Sequence, residues 1–350
     1  MLPVLAPAPE REGAPSAWAM LPDDWKRLGH DGSCEHLFAQ IQRISTWNEQ
    51  GPVVGRGGRA RLAATDTTLP TLTEAALSDD GARRCVLMTT DGKKLEAVHM
   101  PRAVKNPRVT LCVSSQVGCA MGCTFCATGT MGIVRNLTAG EIVGQILALM
   151  RAFGPDNAHS LNVVFMGMGE PLHNLAHVQR AIEVLCHPAG IGMSPNRITV
   201  STSGLVPGIE KLATWRVRPL LALSVNATTD ATRSRIMPVN RAYGLARLKE
   251  TLTRFPVRRG ERLLLEYVLL RGENDTDEDA VRLAEFARGL PHNVNVVPLN
   301  EHSLTDHKAP DPEWVLRFAT RLRELGCLCT VRRNRGADVR GACGQLVQEA

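Results

Sequence analysis

From residue 109 onward, short runs rich in aliphatic and β-branched residues alternate with longer segments in which apolar residues recur at helical spacing. The runs predict buried strands, and the longer segments predict amphipathic helices. The predicted strands are Val109–Val113, Leu161–Met166, Arg197–Ser201, Leu220–Val225, Leu263–Leu269, Val294–Val297 and Leu328–Arg332. The predicted helices are Ala139–Ala152, Leu175–Cys186, Val206–Thr214, Leu245–Arg254, Glu278–Arg288 and Pro312–Leu325. This alternation predicts an α/β fold with a parallel sheet, and it leaves a partial barrel and a doubly wound sheet equally open.

The start of the first of these helices is marked by Thr138 and Glu141, which have the spacing of a capping box. The loop 114–137 therefore separates the first predicted strand from this helix, and it contains a cluster of cysteines. Because parallel α/β folds place their chemistry at the C-terminal ends of the strands, this loop is the first candidate for a functional site.

The residues before 109 are patterned differently. Asp91-Gly92, between two β-rich runs, predicts a two-residue hairpin, and Leu37, Ile41 and Ile44 predict one face of a short helix. The first 20 residues are broken by prolines and lack the basic lead of a signal peptide. The predicted division is a disordered tail (1–20), a small N-terminal helical accessory domain (21–80), a hairpin connector (81–108), the α/β domain (109–335) and a C-terminal loop (336–350).

Composition narrows the class of protein. Of 350 residues, 44% are hydrophobic and 22% are charged, which excludes a disordered or fibrous chain. No apolar run reaches the roughly 20 residues that a membrane-spanning helix needs. We therefore expect a cytoplasmic protein without a membrane partner. The formal net charge of +6 admits a polyanionic partner without requiring one.

Cys119, Cys123 and Cys126 form the spacing CxxxCxxC in the loop 114–137. Gly118 and Gly122 allow the loop to fold tightly, so that the thiolates can converge on one soft metal centre. An iron–sulfur cluster with only three cysteine ligands keeps one iron open to a further ligand. A three-cysteine zinc site and a chance cluster of buried cysteines are the alternatives.

Six motifs in order resemble the RlmN/Cfr family of radical S-adenosylmethionine (SAM) RNA adenosine methyltransferases. They are CVSSQVGC at 112–119, RNLTAGE at 135–141, FMGMGEP at 165–171, STSG at 201–204, IMPVN at 236–240 and ACGQ at 342–345. The resemblance covers roughly residues 80–347. It implies a partial (βα)6 radical SAM barrel, a cytoplasmic monomer, and an electron donor such as flavodoxin or ferredoxin.

The resemblance also implies the cofactors and the residues that hold them. Cys119, Cys123 and Cys126 would ligate one [4Fe–4S] cluster, and two SAM molecules would be used per turnover. The residues implied to contact SAM are Gly169, Glu170, Ser201, Ser224, Val225, Asn226 and Asn300. Asn226 departs from the family, which often has histidine at this position. For Gly169 and Glu170, the alternative interpretation is a glycine-rich turn followed by a glutamate on the surface.

Three further residues carry the chemistry that the resemblance implies. Cys343 would accept a methyl group from one SAM, and a radical made from the second SAM would remove a hydrogen atom from that methyl group. The resulting carbon radical would add to the adenine ring, Glu96 would accept the ring proton, and Cys112 would release the product by forming a disulfide with Cys343. Alternation in Val109–Ser114 independently predicts that Cys112 faces the barrel interior. The remaining cysteines, Cys34, Cys85, Cys186, Cys327 and Cys329, are interpreted as structural.

The implied substrate is RNA. Two basic runs could contact phosphates. One lies near Cys343 and comprises Arg332, Arg333, Arg335 and Arg340, and the other lies in the N-terminal domain and comprises Arg56, Arg59 and Arg61. The function implied is methylation of carbon 2 of an adenosine in 23S rRNA, with tRNA as a second candidate. Methylation of carbon 8 of the same adenosine, a non-catalytic iron–sulfur or zinc RNA-binding protein, and radical SAM chemistry on a small molecule are the alternatives.

Overall fold

The computed structural model describes residues 19–21, 47–48, 51–52, 68–102, 107–154 and 161–347. Most of the predicted tail, the predicted helix containing Leu37, and the basic run Arg56, Arg59 and Arg61 lie outside the described residues. Within that domain range, Trp47–Asn48 pairs antiparallel with Gly51–Pro52. Of the described helices, none is long and apolar enough to cross a membrane.

A mixed sheet of 10 strands forms the centre of the molecule. In chain order its strands are Thr71–Leu77, Arg83–Met88, Lys94–Arg102, Arg108–Cys112, Leu161–Phe165, Ile198–Thr202, Leu220–Ser224, Leu263–Leu269, His292–Pro298 and Cys329–Val331. From Arg108–Cys112 to Cys329–Val331 every neighbouring pair is parallel, and the spatial order follows the chain order.

This strand order decides between the two architectures that the sequence leaves open. A doubly wound sheet reverses its strand order at a switch point, and this sheet does not. Cys112 at the end of the first parallel strand and Arg332 just after the last one line the same cavity. The sheet therefore curls so that its two ends face each other, and the prediction of a partial barrel is confirmed.

The helices connect successive parallel strands. They are Ala127–Thr130, Ala139–Phe153, Leu175–Cys186, Val206–Ala213, Asp230–Ile236, Leu245–Arg254, Asp277–Ala287 and Pro312–Glu324. The capping box is confirmed, because the Thr138 hydroxyl accepts a hydrogen bond from the Glu141 backbone N–H at 3.1 Å. The Glu141 carboxylate accepts one in return from the Thr138 N–H at 2.9 Å.

The predicted hairpin is confirmed, but one strand beside it was not predicted. Arg83–Met88 pairs with Lys94–Arg102, and the turn between them has Gly92 at a φ of +75°. Thr71–Leu77 was assigned to the helical domain, and this assignment is wrong, because the segment pairs antiparallel with Arg83–Met88. It is an edge strand whose residues are half-buried or exposed on both faces, so it carries no alternation that would reveal it.

Arg135 attaches the hairpin turn to the helix Ala139–Phe153 and so fixes the loop that carries the cysteines. Its guanidinium donates to Asp91 and to Glu141, each at 2.8 Å, and its side chain is only 7% exposed. Arg135 lowers the pKa of Asp91 well below its usual range, so the Asp91 carboxylate is charged at neutral pH. Through Arg135, the loop that carries the cysteines is therefore bonded both to the hairpin turn and to the helix Ala139–Phe153.

Candidate active site

The predicted metal ligands line a cavity of about 980 Å³ at the C-terminal ends of the parallel strands. Cys119 ends the strand Gln116–Cys119, while Cys123 and Cys126 follow in the turn before the short helix Ala127–Thr130. Gly118 has a φ of +77°, and a side chain there would collide with the backbone of Gly132, so the turn requires glycine. All three cysteines are free thiols.

These thiols lie in an environment that suits a polynuclear cluster. Burial raises the pKa of Cys119 to about 12, and burial followed by repulsion from Cys126 and Cys119 raises the pKa of Cys123. Burial, with a smaller contribution from Cys343, raises the pKa of Cys126. They can become thiolates together only when a cation binds them. Among the described residues, no three His, Cys, Asp or Glu side chains are grouped closely enough to hold a single metal ion. An iron–sulfur cluster binds each thiolate at a different iron, so its ligands need not converge on one point.

Six of the seven residues implied to contact SAM line the same cavity, and they are Gly169, Glu170, Ser201, Ser224, Asn226 and Asn300. Val225 does not line it. Its side chain is fully buried, and its carbonyl oxygen accepts a hydrogen bond from Arg233 Nε at 2.9 Å. The ends of four parallel strands therefore bring these six residues to one space.

Gly169 has a backbone that only glycine adopts easily. Its φ is +99°, and an added Cβ would lie 2.6 Å from the Cβ of Gln116. The Gln116 side chain accepts a hydrogen bond from the Glu170 N–H at 2.9 Å, so a shift of Gln116 would displace Glu170 as well.

Replacing Gly169 with alanine should weaken SAM binding by about tenfold or more, because the strained backbone and the displaced Gln116 deform the cavity wall. Calorimetric titration of SAM into anaerobically reconstituted protein measures this. Gly192→Ala is the matched control, since its φ is also positive, +70°, but the nearest atom to an added Cβ is 3.9 Å away. Equal SAM affinity in the two variants would contradict the assignment of Gly169 to the cofactor cavity.

Glu170 is not a surface residue, so that alternative interpretation is wrong. It is 3% exposed, and its Oε2 accepts hydrogen bonds from the Ser203 N–H at 2.7 Å and from the Ser203 hydroxyl at 2.8 Å. Oε1 accepts from the Leu172 N–H at 3.1 Å, and the carboxylate lines the cavity. Burial raises the pKa of Glu170, an effect that a bound ammonium group would oppose.

Asn226, which departs from the family pattern, is explained by its backbone. Its φ is +53°, in the left-handed region where asparagine is tolerated better than most residues. Its side-chain oxygen accepts from the Val268 N–H at 2.9 Å, and its backbone carbonyl accepts from Asn274 Nδ2 at 2.7 Å. Asn226 therefore links two adjacent loops besides lining the cavity.

Cys343 lies where the large cavity meets a second cavity of about 540 Å³, and it lines both. Cys112 lines the second cavity, whereas Leu111 and Val113 are in the main core, as the alternation predicted. The C-terminal loop is anchored close to Cys343: Asn300 Nδ2 donates to the Cys343 carbonyl at 2.9 Å, and the Ala127 N–H donates to the Gly344 carbonyl at 2.7 Å. The predicted methyl-accepting thiol is thus held beside the cysteine loop.

Two charged residues at this junction were not predicted. Arg332 lines both cavities, and its Nη1 lies 3.4 Å from Glu266 Oε2. Burial raises the pKa of Cys343 and of Cys112, and the Arg332 guanidinium opposes the rise at both thiols. Arg332 therefore faces the thiols, while its side chain is 36% exposed, so its contact with RNA stays a prediction. Glu266 could have been found as the one charged residue in the apolar run Leu263–Leu269.

Glu96 is close to the second cavity but does not line it. Its side chain is 1% exposed, and the Arg84 guanidinium donates to Oε1. Burial raises its pKa, while Arg84 and the backbone of Val347 act in the opposite direction. The C-terminal segment therefore covers Glu96 in this conformation.

The cysteines interpreted as structural, and the remaining arginines of the C-terminal basic run, lie in different places. Cys85, Cys327 and Cys329 are buried and Cys186 is half-buried, and none of the four lines either cavity, whereas Cys34 lies outside the described residues. Arg335 donates to Asp80 at 2.8 Å, which ties the C-terminal loop to the loop before Arg83–Met88. Arg333 and Arg340 are exposed near the cavity mouth.

Comparison with known proteins agrees with this geometry. Residues 113–284 match the radical SAM superfamily. The dual-specificity RNA methyltransferase RlmN of Anaeromyxobacter sp. (strain Fw109-5) is 49% identical over 304 residues, which are 85% of this chain and 79% of that protein. The chain belongs to the RlmN family. Dual-specificity RNA methyltransferase RlmN 2 of Myxococcus xanthus is another member, 44% identical over 82% of this chain and 77% of its own length.

A solved structure of a related protein has the same fold as this chain. A radical SAM methyltransferase from Sphaerobacter thermophilus is 38% identical, with a TM-score of 0.86, and the match covers 95% of this chain and 98% of that chain. The RlmN family lies within the radical SAM superfamily, which implies a [4Fe–4S] cluster and SAM as cofactors.

Proposed function

We propose that this chain is a radical SAM RNA methyltransferase that methylates carbon 2 of an adenosine in 23S rRNA, with tRNA as a second substrate, through a methylated Cys343. The observation that carries the proposal is the position of Cys343, which lines the cavity of the cofactor residues and also the cavity of Cys112. A protein that only bound RNA would need neither thiol there.

The cofactors are assigned to the larger cavity. Cys119, Cys123 and Cys126 would hold the cluster, and six of the seven residues implied by the family would hold SAM there. When bound, SAM supplies a methyl group and, after one-electron reduction through the cluster, a carbon-centred radical. A one-electron donor of the flavodoxin or ferredoxin class would deliver the electron.

Cys343 would act first as a nucleophile. Its thiolate attacks the methyl carbon of a sulfonium, the old carbon–sulfur bond breaks, and Cys343 becomes a neutral thioether. Arg332 favours this step because its guanidinium stabilises the thiolate form against the effect of burial. After that methyl group has lost a hydrogen atom, its carbon forms a bond to carbon 2 of the adenine, which joins RNA and protein covalently.

Glu96 and Cys112 would complete the reaction. Glu96 accepts the ring proton, and its raised pKa makes it a stronger base than an exposed glutamate. Val347 must first move away from the carboxylate. Once the adduct radical has returned one electron to the oxidised cluster, Cys112 would attack Cys343 Sγ. The bond from sulfur to the transferred carbon breaks with its electron pair going to that carbon, which takes up a proton to become the methyl group, and a disulfide remains that an external thiol must reduce.

The mouth of the barrel suits a single extruded base rather than a duplex. The second cavity, of about 540 Å³, is lined by apolar side chains such as Val98, Met100 and Val164 next to the thiols. An adenine can enter such a space only when it is unstacked. Arg333 and Arg340 lie exposed beside this mouth, where they can meet phosphates.

Nucleoside mass spectrometry tests the proposed function. RNA from cells lacking this activity is incubated anaerobically with reconstituted protein, SAM and a reductant, and is then digested. We expect 2-methyladenosine in 23S rRNA. Finding 8-methyladenosine would contradict the assigned carbon, and finding no methylated adenosine in a protein with a full cluster would contradict the proposed function altogether.

A further inference from the structure

Arg233, in the helix Asp230–Ile236, is fully buried at 0% exposure. It donates hydrogen bonds only to neutral oxygens, which are the carbonyls of Val225 at 2.9 Å, Ser203 at 2.6 Å and Ser224 at 3.0 Å, and Asn240 Oδ1 at 3.1 Å. A buried arginine is normally paired with a carboxylate. Arg233 therefore raises the question of what balances its charge.

No carboxylate in the described part of the chain forms an ion pair with Arg233. The acid nearest along its helix, Asp230, acts on Arg233 electrostatically but does not bond to it, and its Oδ1 accepts from the Leu245 N–H at 2.9 Å and from Asn240 Nδ2 at 3.0 Å. A fully buried cation with no carboxylate bonded to it is unfavourable, and a bound group that supplies negative charge would stabilise it.

The cysteine loop lies against the same helix. The Thr124 N–H, one residue after Cys123, donates to the Ile236 carbonyl at 3.0 Å. The Arg233 guanidinium also interacts electrostatically with Cys123. An arginine guanidinium keeps its charge at neutral pH even when it is buried, so Arg233 presents a fixed cation to this loop.

We propose that Arg233 is a positioning residue that balances the negative charge of the thiolate-ligated cluster and so makes the cluster easier to reduce. This inference rests on the cluster assignment in the proposed function. Three thiolates give a four-iron centre a net negative charge, and the electron from the donor adds another. A fixed cation nearby therefore stabilises the reduced form more than the oxidised form. The same guanidinium holds the carbonyls of Ser203, Ser224 and Val225, where two strands end at the cofactor cavity.

The midpoint potential of the cluster tests this proposal, measured by anaerobic redox titration with electron paramagnetic resonance detection. Arg233→Gln should lower the equilibrium constant for one-electron reduction at least tenfold, about 59 mV. Arg233→Lys keeps the charge and should retain most of the potential. Arg235→Gln is the matched control, since this arginine is two residues away on the same helix but its side chain is 58% exposed and pairs with Glu273, and it should leave the potential unchanged.

A second variant covers the case in which Arg233→Gln does not fold. Arg233→Met removes the charge, keeps a long unbranched side chain and leaves intact the hydrogen bond that Asn240 Nδ2 donates to Asp230 Oδ1. This variant should lower the midpoint potential of the cluster, as Arg233→Gln should. An unchanged potential in either iron-loaded, folded variant would overturn the role of Arg233.

The failure of this proposal and that of the proposed function can be told apart. If wild-type protein binds no cluster, or if Cys123→Ala retains its full iron content, the cluster assignment itself is wrong. If the wild type holds a cluster that Cys123→Ala loses, and Arg233→Gln still titrates at the wild-type potential, only the role of Arg233 is wrong.

Discussion

Cys343→Ala protein should bind SAM and a full cluster yet methylate RNA roughly 1000-fold more slowly than the wild type, or not at all. The thiol is the group that would receive the methyl carbon, and losing a covalent nucleophile usually costs an enzyme nearly all of its activity. In the described part of the chain no other thiol is placed to replace it, because Cys112 lines only the second cavity, and Cys119, Cys123 and Cys126 would be bound to the cluster. Methylated nucleosides in digested RNA measure the effect.

The matched control is Cys186→Ala, which removes a half-buried thiol that lines neither cavity. It should retain wild-type methylation. Iron content and SAM affinity are measured in both variants, so that a lost cluster is not mistaken for a lost nucleophile. RNA methylation at the wild-type rate by cluster-loaded Cys343→Ala protein would show that the carbon reaches the adenine by another route.

Cys112→Ala should trap the protein on its RNA. Carbon–carbon bond formation needs only Cys343, whereas release needs a second thiol to attack Cys343 Sγ. The variant should therefore accumulate about one covalent RNA adduct per protein molecule, and free methylated RNA should fall by about 100-fold. Denaturing gel electrophoresis resolves the adduct, and ribonuclease digestion should leave a modified peptide that contains Cys343.

Cys85→Ala serves as the control for this trap. Cys85 lies in the neighbouring strand Arg83–Met88 and is fully buried in the main core, so its loss lowers stability without touching the second cavity. No adduct should form with this variant. If Cys112→Ala turns over freely at the wild-type rate, Cys112 is not the group that resolves the adduct.

The parallel part of the fold could be predicted because each of its strands is buried and short. Runs such as Leu161–Phe165 and Leu220–Ser224 differ clearly from the amphipathic helices between them, and the residues Thr138 and Glu141 mark one helix start by their hydrogen-bonding chemistry alone. Thr71–Leu77 could not be predicted, because an edge strand is held by backbone pairing rather than by its own pattern. The choice between barrel and doubly wound sheet needed the strand order, which periodicity does not contain.

The site was predictable where chemistry requires a spacing and hidden where it depends on tertiary position. Cys119, Cys123 and Cys126 share one short loop, so their spacing alone indicates a joint site. Arg233 and Arg235 belong to the same short helix, and the sequence does not show which of them is buried. In the fold, Arg233 is fully buried near Cys123 and Arg235 is exposed. Only the folded chain separates them.

Arg332 illustrates the same limit. In sequence it is one of several arginines before Cys343, and a basic run there indicates RNA contact. In the fold it follows the last parallel strand and turns inward to Glu266 and the thiols, while Arg333 is exposed. Which arginine faces the thiols is decided by where the strand Cys329–Val331 ends, and that end is set by pairing with His292–Pro298.

The most direct test of the account follows the origin of the transferred carbon through a single turnover. Protein is first methylated with ordinary SAM, freed of excess cofactor, and then mixed with RNA and SAM that carries a deuterated methyl group. If Cys343 delivers the carbon, the first product per protein molecule carries the unlabelled group, and label enters only in later turnovers. A labelled methyl group in the first product would show that the carbon passes directly from SAM to adenine and would contradict the central claim.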